Sequence, residues 1–464
     1  MSSKQGAGNR RVFEEMPVFR AVLALALPTV VSQIIGTLYN MADSFWVGRL
    51  NDPDQLAALA LAFPAQMALT AFSNLFGIGG GTLISRQLGA GRPDRARLAG
   101  VFALWGGLLL LACCCALAAA GRAVTLRLLG VPSELSPLVS SYLKWAVLVG
   151  GLPALANMIL AHLIRGEGYS RPASVGLSLG GLINMAIDPF FVLPWGLDLG
   201  ILGAALATLL SNCLALAYFC LLLWRRRQDT VLHLHPRQLR SLRSEGRLLR
   251  ELLLTGLPSS FTFLLNTVSN VVLNNLIVSY GAAATAAVGL AKKIDSLPMG
   301  IVNGIPQGAV PLIAYNYGAG NRERMRGGLR SALRLSVGVA LCFTLLFELF
   351  ATQIVGAFIN DPQTVTYGAG FIRLHCLATV FMSITMMLVG FFQSIGETRR
   401  AFFLSIIRKG IIDIPLMFLM DSLFPMYGIL ACQPMTDLIS ATAAVLLYLS
   451  WRRHPRLLLR TEAR

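Results

Sequence analysis

The sequence predicts an all-α integral membrane protein with twelve transmembrane helices, arranged as two pseudo-symmetric six-helix lobes around a central cavity. Three observations carry that expectation: scarce charge, twelve apolar stretches of spanning length, and an internal repeat. Of the 464 residues, 55% are hydrophobic and 13% charged, about half the roughly 25% charge of a soluble protein. A soluble domain of this size has no way to cover its surface with so few charges.

The apolar stretches run in order over 21–48, 55–84, 98–120, 138–164, 173–195, 201–224, 251–279, 285–313, 330–350, 369–393, 402–424 and 428–451. Each reaches the ~20 residues a membrane helix needs, and charged connections end most of them. Lys4, Arg10, Arg11 and Arg20 precede the first span, and Arg86, Arg92, Arg95 and Arg97 follow the second. Arg165 and Arg171 follow the fourth, and eight arginines from Arg225 to Arg250 follow the sixth. Arg322–Arg334, Arg399–Lys409 and the tail from Arg452 complete one face, which holds 32 of the 39 Lys and Arg residues. The other face has Arg49, Arg122, Arg127 and Lys144, with Arg373 near its edge; Lys292 and Lys293 fall inside a span. The positive-inside rule then places both termini in the cytoplasm, in a multi-pass protein of the cell (inner) membrane. The net charge of +17 is thereby accounted for by topology, with no nucleic-acid partner; membrane lipid and small molecules are the expected partners. The first apolar run carries Asp43 and lacks the short h-region of a cleavable signal.

The two halves repeat at an offset near 230. "LALPTVVSQIIGTLYN" (25–40) lies over "LTGLPSSFTFLLNTVSN" (254–270), matching Pro28 to Pro258 and Asn40 to Asn270. "NLFGIGGGTLISRQLGAGRPDRAR" (74–97) lies over "NGIPQGAVPLIAYNYGAGNRERMR" (303–326), and "GILGA" pairs with "GILAC" late in each half. Six spans per half make these parallel repeats of the kind found in secondary transporters. The expected organisation is an N-terminal lobe over 1–224, a basic cytoplasmic linker over 225–250, and a C-terminal lobe over 251–464 with a basic tail. A monomer suffices, since two lobes already enclose a cavity.

Acids inside spans are the next signal, because a charge at membrane depth costs at least ~2.5–3.5 kcal/mol and is kept for function. In the first span Thr29, Gln33, Gly36, Asn40 and Asp43 share one helical face. The fifth span repeats the stripe with Ser174, Ser178, Gly181, Asn184 and Asp188. Both carboxylates fall in the outer half of the same lobe, where they can meet. Two poorly hydrated carboxylates do not both stay charged: one accepts a proton, or a Na⁺ lies between Asp43 and Asp188. The bland alternative is that each satisfies freed backbone groups at a broken helix. The second lobe differs. Its first span carries Ser259, Thr262, Asn266, Asn270 and Asn274 but no acid, and its next span places Asp295 three residues from Lys292. That spacing suits a local ion pair or a role toward substrate or cation, with Asp295, Lys292, Asn266 and Asn270 as the second-lobe candidates. Asp413, in "KGIIDIPL", is roughly the counterpart of Asp188. His162 and His375 read as packing or hydrogen-bonding residues.

Enzyme chemistry finds little support. No Gly-Lys pair occurs, which removes a P-loop, and no His-Glu-x-x-His or Cys-x-x-Cys motif is present. "GLSLG" (176–180) matches an esterase pattern but sits in an apolar helix and not at a strand-to-helix turn. All eight cysteines fall in spans and are expected to be unpaired. No cofactor is implied.

"LPTVVSQIIGTLYNMADSFWVGRL", the connection "GGTLISRQLGAGR" and "INMAIDPFFV", in that order and spacing, resemble the multidrug and toxic compound extrusion (MATE) transporters, most closely the DinF-like branch. The resemblance implies antiport: H⁺ or Na⁺ enters while an amphipathic, often cationic, compound leaves. It also implies a coupling-cation site in the N-terminal lobe at Asp43, Asn184 and Asp188. Asn157 and Thr208 would support it, Tyr142 is a weaker candidate, and Pro28 would mark a bend in the first span. Another branch keeps an acid in the second lobe's first span, where this chain has asparagines. The rival reading is a flippase for lipid-linked saccharides, expected to line its cavity with cations; here Lys292 and Lys293 are the cations read as intramembrane.

Overall fold

The computed structural model describes residues 11–50, 52–243, 245–359 and 361–453. Lys4, Arg10, Arg456, Arg460 and Arg464 lie outside them, as do the side chains of Arg240 and Arg243. Among the described residues there is no strand. Helices α1 (Val18–Gly48), α2 (Pro53–Gly89), α3 (Pro93–Ala120), α5 (Ser170–Val192) and α6 (Gly200–Arg225) are joined by α4, which is Ser136–Val149 and Gly151–Gly166 bent by 42°. The second half has α7 (Gly246–Val278), α8 (Ala282–Gly318), α9 (Arg322–Gly356), α10 (Pro362–Ser394) and α12 (Tyr427–Arg453). Helix α11 runs through Thr398–Ile406, Ile407–Ile412 and Asp413–Leu423. Ten of these are long and apolar in one piece, and bent α4 makes eleven. The twelfth, α11, is more polar because it carries Arg408, Lys409 and Asp413.

Local chemistry sets several of the boundaries. Asp52, Asn321 and Asp361 accept hydrogen bonds from backbone N–H groups of Asp54, Arg324 and Thr364 at 3.0, 3.0 and 2.8 Å, capping α2, α9 and α10. Pro53, Pro93 and Pro362 open their helices where no N–H is needed. Pro28 sits inside α1, which continues through it as one helix; its missing N–H leaves the Ala24 carbonyl without its usual donor.

The lobes meet along glycines. A Cβ on Gly256 would lie 1.8 Å from the Leu75 carbonyl oxygen, and one on Gly79 would lie 2.4 Å from that of Leu252. Symmetry-related contacts follow: Gly89 against the Tyr315 carbonyl at 1.9 Å and Gly318 against that of Arg86 at 2.1 Å. Gly89 and Gly318 are the matching "GAG" positions of the repeat. Arg86 also reaches Glu251 across the lobes at 3.1 Å. All these contacts lie in the halves nearest the arginine-rich connections. Toward the other end, added methyl groups on Gly36, Gly48, Gly281 and Gly289 would meet nothing within 4 Å.

Two peripheral segments are fastened to the bundle. Phe13, in the short helix Arg11–Glu15, stacks on Tyr315 at 4.6 Å, and Arg324 donates to the carbonyls of Phe13 and Met16 at 2.5 and 2.6 Å. The linker's first part packs on the N-terminal half: Trp105 donates to the Leu234 carbonyl at 3.0 Å. Glu167, in the α4–α5 connection, accepts from the Thr230 hydroxyl and the Val231 N–H, both at 2.7 Å. Burial pushes the Glu167 carboxyl up to about 7, against the pull of those hydrogen bonds.

Because a Cβ at Gly256 collides with backbone and not with a movable side chain, Gly256→Ala should destabilise by about 1–3 kcal/mol, while Gly36→Ala is close to neutral; detergent-solubilised thermal melts separate the two. For Glu167, a folded value above the ordinary 4.5 means that its contribution is full below about pH 4.5 and is lost as pH rises through 7. Melts at pH 4.5, 6 and 7.5 should show a wild-type decline, which Glu167→Gln flattens.

Candidate functional site

Asp43 and Asp188 come together. Their carboxyl groups, from α1 and α5, lie within hydrogen-bonding reach of one another. Asp188 and Asn184 are fully buried, at 0% and 1% exposure, and Asp43 is half-buried. The i, i+4 spacing on α5 lets the Asn184 amide donate to Asp188 Oδ1 at 3.1 Å and to Thr208 Oγ1 of α6 at 3.3 Å. Thr208 therefore joins the cluster.

Asn157 does so less directly. Its amide donates to the Asn212 carbonyl at 2.8 Å, and Asn212 in turn donates to the Thr208 carbonyl at 2.9 Å. No hydrogen bond links Asn157 to either carboxylate among the described residues. Tyr142, buried at 1% exposure, stands close enough to Asp43 and Asp188 to feel their charge and accepts from Gln66 at 2.5 Å.

What remains unpaired is informative. Asp43 Oδ1, Asp188 Oδ2, Asn184 Oδ1 and Asn157 Oδ1 are buried without a hydrogen-bond partner, and every one of them is an acceptor. Buried polar atoms are normally satisfied. A group of unsatisfied oxygens around a carboxylate pair is suited to a proton or a monovalent cation, and no described Lys or Arg side chain bonds to either carboxylate. Nor does a group of three or more His, Cys, Asp or Glu suited to holding a metal ion occur among the described residues.

Tyr39 is the residue the sequence reading missed. Its side chain lies beside both Asp43 and Thr208. The signal was available, since Tyr39 is one helical turn before Asp43 on the same face of α1.

The second lobe corrects several expectations. Asp295 does not pair with Lys292 across a helical turn. Lys292 instead donates to Asn274 on α7 at 2.9 Å, while Asp295 faces His375 on α10, Oδ2 to Nε2 at 3.0 Å. Packing of α8 against α7 and α10 supplies both side chains with partners on neighbouring helices. Asp295 is buried at 3% exposure, and its Oδ1 has no partner. Asn270 donates to the Asn266 carbonyl one turn below and is exposed, so these two do not form a carboxylate-like site. His162 packs against Gly77, as a packing residue does. All eight cysteines are free thiols.

Arg165, Arg408 and Lys409, assigned from sequence to the basic face, are instead buried at 2%, 2% and 7% exposure. Lys292 and Lys293 are therefore not the only cations within the bundle. Arg408 pairs with Asp437 at 2.5 Å and Lys409 with Asp413 at 3.0 Å, so two of the added charges are matched. Arg165 reaches the Ser32 hydroxyl at 3.5 Å.

Two repeated six-helix lobes, joined at one end and with an unsatisfied polar cluster inside the first, are an architecture suited to a membrane transporter. The MatE family profile matches residues 28–190 and 258–419, once in each half, and the chain belongs to this family. It is 28% identical over 437 residues to the multidrug export protein MepA of Staphylococcus aureus (strain MRSA252), covering 94% of both chains. Among solved structures it resembles MATE in complex with MaD3S (TM-score 0.88, 25% identity, 98% of this chain and 100% of that one). A mutant of the Vibrio cholerae MATE transporter VcmN shares the fold (TM-score 0.87, 21% identity, 95% and 98% covered).

Tyr39→Phe removes the hydroxyl that faces Asp43 and Thr208 while keeping the ring. Loss of such a supporting group costs ~10–100-fold in ion affinity at comparable sites. Ion-dependent thermal stabilisation should shift to at least ~10-fold higher Na⁺ or proton concentration, with the melting point in the absence of ion little changed.

Proposed function

We infer that this protein exports amphipathic, often cationic, small molecules across the cell membrane in exchange for H⁺ or Na⁺. The observation that carries this reading is the Asp43–Asp188 contact inside a shell of unpaired oxygens. Its likeness over nearly full length to a multidrug export protein supports the same conclusion. The protein acts as a monomer with both termini cytoplasmic and needs no cofactor beyond the coupling ion. The glycine contacts lie at the cytoplasmic end, so the conformation described opens outward.

In that state the carboxylate pair takes up H⁺ or Na⁺ from outside and drug leaves. With the pair neutralised, the lobe closes outward and opens inward. Release of the ion to the cytoplasm restores the negative pair, which attracts the next cationic substrate. Asn184 and Thr208 hold Asp188 in place, Asn157 braces α6, and Pro28 gives α1 a point at which to bend. The membrane potential adds ~2.3 kcal/mol per charge per 100 mV, which sustains large accumulation ratios. Arg408 and Lys409 are matched by Asp437 and Asp413, which takes two of the buried cations out of the cationic lining a pyrophosphate-lipid flippase would require.

The test is reconstitution in liposomes with imposed pH or Na⁺ gradients and a lipophilic cation as substrate. Wild type should show substrate-dependent ion movement. In Asp43→Asn and Asp188→Asn it should fall by at least ~10-fold, the effect of ~1.4 kcal/mol. Wild-type exchange by Asp43→Asn would overturn the assignment.

A further inference from the structure

The two lobes carry the same polar constellation in different charge states. On α5, Asn184 precedes Asp188 by four residues and donates to it at 3.1 Å. On α11, Lys409 precedes Asp413 by four residues and donates to it at 3.0 Å. The neighbouring helix matches as well: Thr208 is eight residues past Gly200, and Thr436 is eight past Gly428, the first residues of "GILGA" and "GILAC". Thr208 contacts Asn184, while Cys432 bridges Asp413 and Thr436 at 3.9 and 3.8 Å. The first helix of each half also contributes at matching positions. Tyr39 faces Asp43 and Thr208, and Ser269, aligned with it by the Asn40–Asn270 match, donates to Asp413 at 2.5 Å.

The satisfaction of the two clusters is opposite. Around Asp188, three buried oxygens, Asp43 Oδ1, Asp188 Oδ2 and Asn184 Oδ1, have no partner. Around Asp413, hydrogen bonds form a closed chain. Ser269 and Lys409 donate to Asp413, and Lys409 also donates to Gln433 Oε1 at 2.7 Å. Gln433 donates to Asp437 at 2.7 Å, and Arg408 closes the chain on Asp437 at 2.5 Å. No side-chain atom of Lys409, Asp413, Gln433, Asp437 or Arg408 is left buried and unpaired. Two cations and two carboxylates cancel. Lys292 of α8 is also near enough to feel the charge of Lys409.

We propose that Lys409 is a chain-borne counter-ion that fills, in the second lobe, the position the transported cation takes in the first. The second lobe then holds a latent site for H⁺ or Na⁺ that the ammonium keeps permanently occupied, and ion coupling runs through the first lobe alone. Lys409 thus sets how many ions accompany each substrate. A cation fixed to the backbone cannot be released to either side, so Asp413 contributes no driving force.

This inference rests on the exchange proposed above, and its test separates the two. Liposomes containing the protein are brought to steady state with a lipophilic cation under a series of imposed pH or Na⁺ gradients at zero membrane potential. The slope of log substrate ratio against log ion ratio gives the ions exchanged per substrate. Lys409→Asn, which recreates the Asn184–Asp188 pairing, should raise that slope by one. Each tenfold ion gradient then supports about ten times more accumulation than in wild type. Lys409→Asn/Asp413→Asn should return to the wild-type slope, and Lys409→Arg should keep it.

A folded Lys409→Asn with an unchanged slope overturns the inference, as does a double variant that loses coupling. If Lys409→Asn does not fold, the neutral double variant decides alone: a wild-type slope supports the inference and lost coupling sinks it. A wild type that couples to neither ion overturns the proposed exchange, and the inference with it.

Discussion

Every carboxylate inside this bundle must be neutralised, because lipid and packed protein screen charge far less than water does. That constraint organises the structure. Asp413 and Asp437 are met by Lys409 and Arg408 through direct bonds, and Asp295 is met by His375. Asp43 and Asp188 are met by one another, by the Asn184 amide and by the nearby Tyr39 hydroxyl. Asp413 and Asp437 are settled within the chain, while Asp295 keeps one oxygen unpaired. The Asp43–Asp188 pair requires something from outside the chain, and the repeat makes the contrast sharp because both lobes grew from one plan.

Much of the fold was legible in the sequence. Each of the twelve helices overlaps the apolar stretch assigned to it, since the cost of exposing backbone to lipid leaves few alternatives to long helices. Charge placement was less legible. Arg408 and Lys409 looked like the cytoplasmic edge of α11 because the helix between Thr398 and Leu423 begins earlier than its apolar run. Starting α11 four residues sooner carries both side chains into the bundle, where partners on α12 receive them. A composition window cannot tell a basic residue at a membrane edge from one matched across helices.

The candidate site was partly legible. Polar spacing on α1 and α5 brought Asp43, Asn184 and Asp188 to one cluster, as helical periodicity requires. Tyr39 escaped notice because an aromatic next to an apolar stretch reads as lining, and its contacts to Asp43 and Thr208 depend on how α1 and α6 cross. Of the two readings open for Lys292 and Asp295, the intrahelical pair is not formed. Their spacing permits an intrahelical pair, but Asn274 and His375 on neighbouring helices compete for them and win. Spacing along one helix predicts faces well and partners poorly.

The glycine seam between the lobes has a mechanical consequence. Where Gly89, Gly256 and Gly318 meet carbonyl oxygens of the opposing half, the surfaces in contact are bare backbone whose hydrogen bonds are already made within their own helices. Parting them frees few rotamers and strands few polar groups. Shape grips the seam, with the Arg86–Glu251 ion pair as a polar tie beside it. Such a joint resembles a pair of smooth bearing faces more than a latch: it holds firmly while closed, yet has few specific bonds to break on opening. A machine that must separate and rejoin the same two halves on every turnover is well served by a joint of that kind.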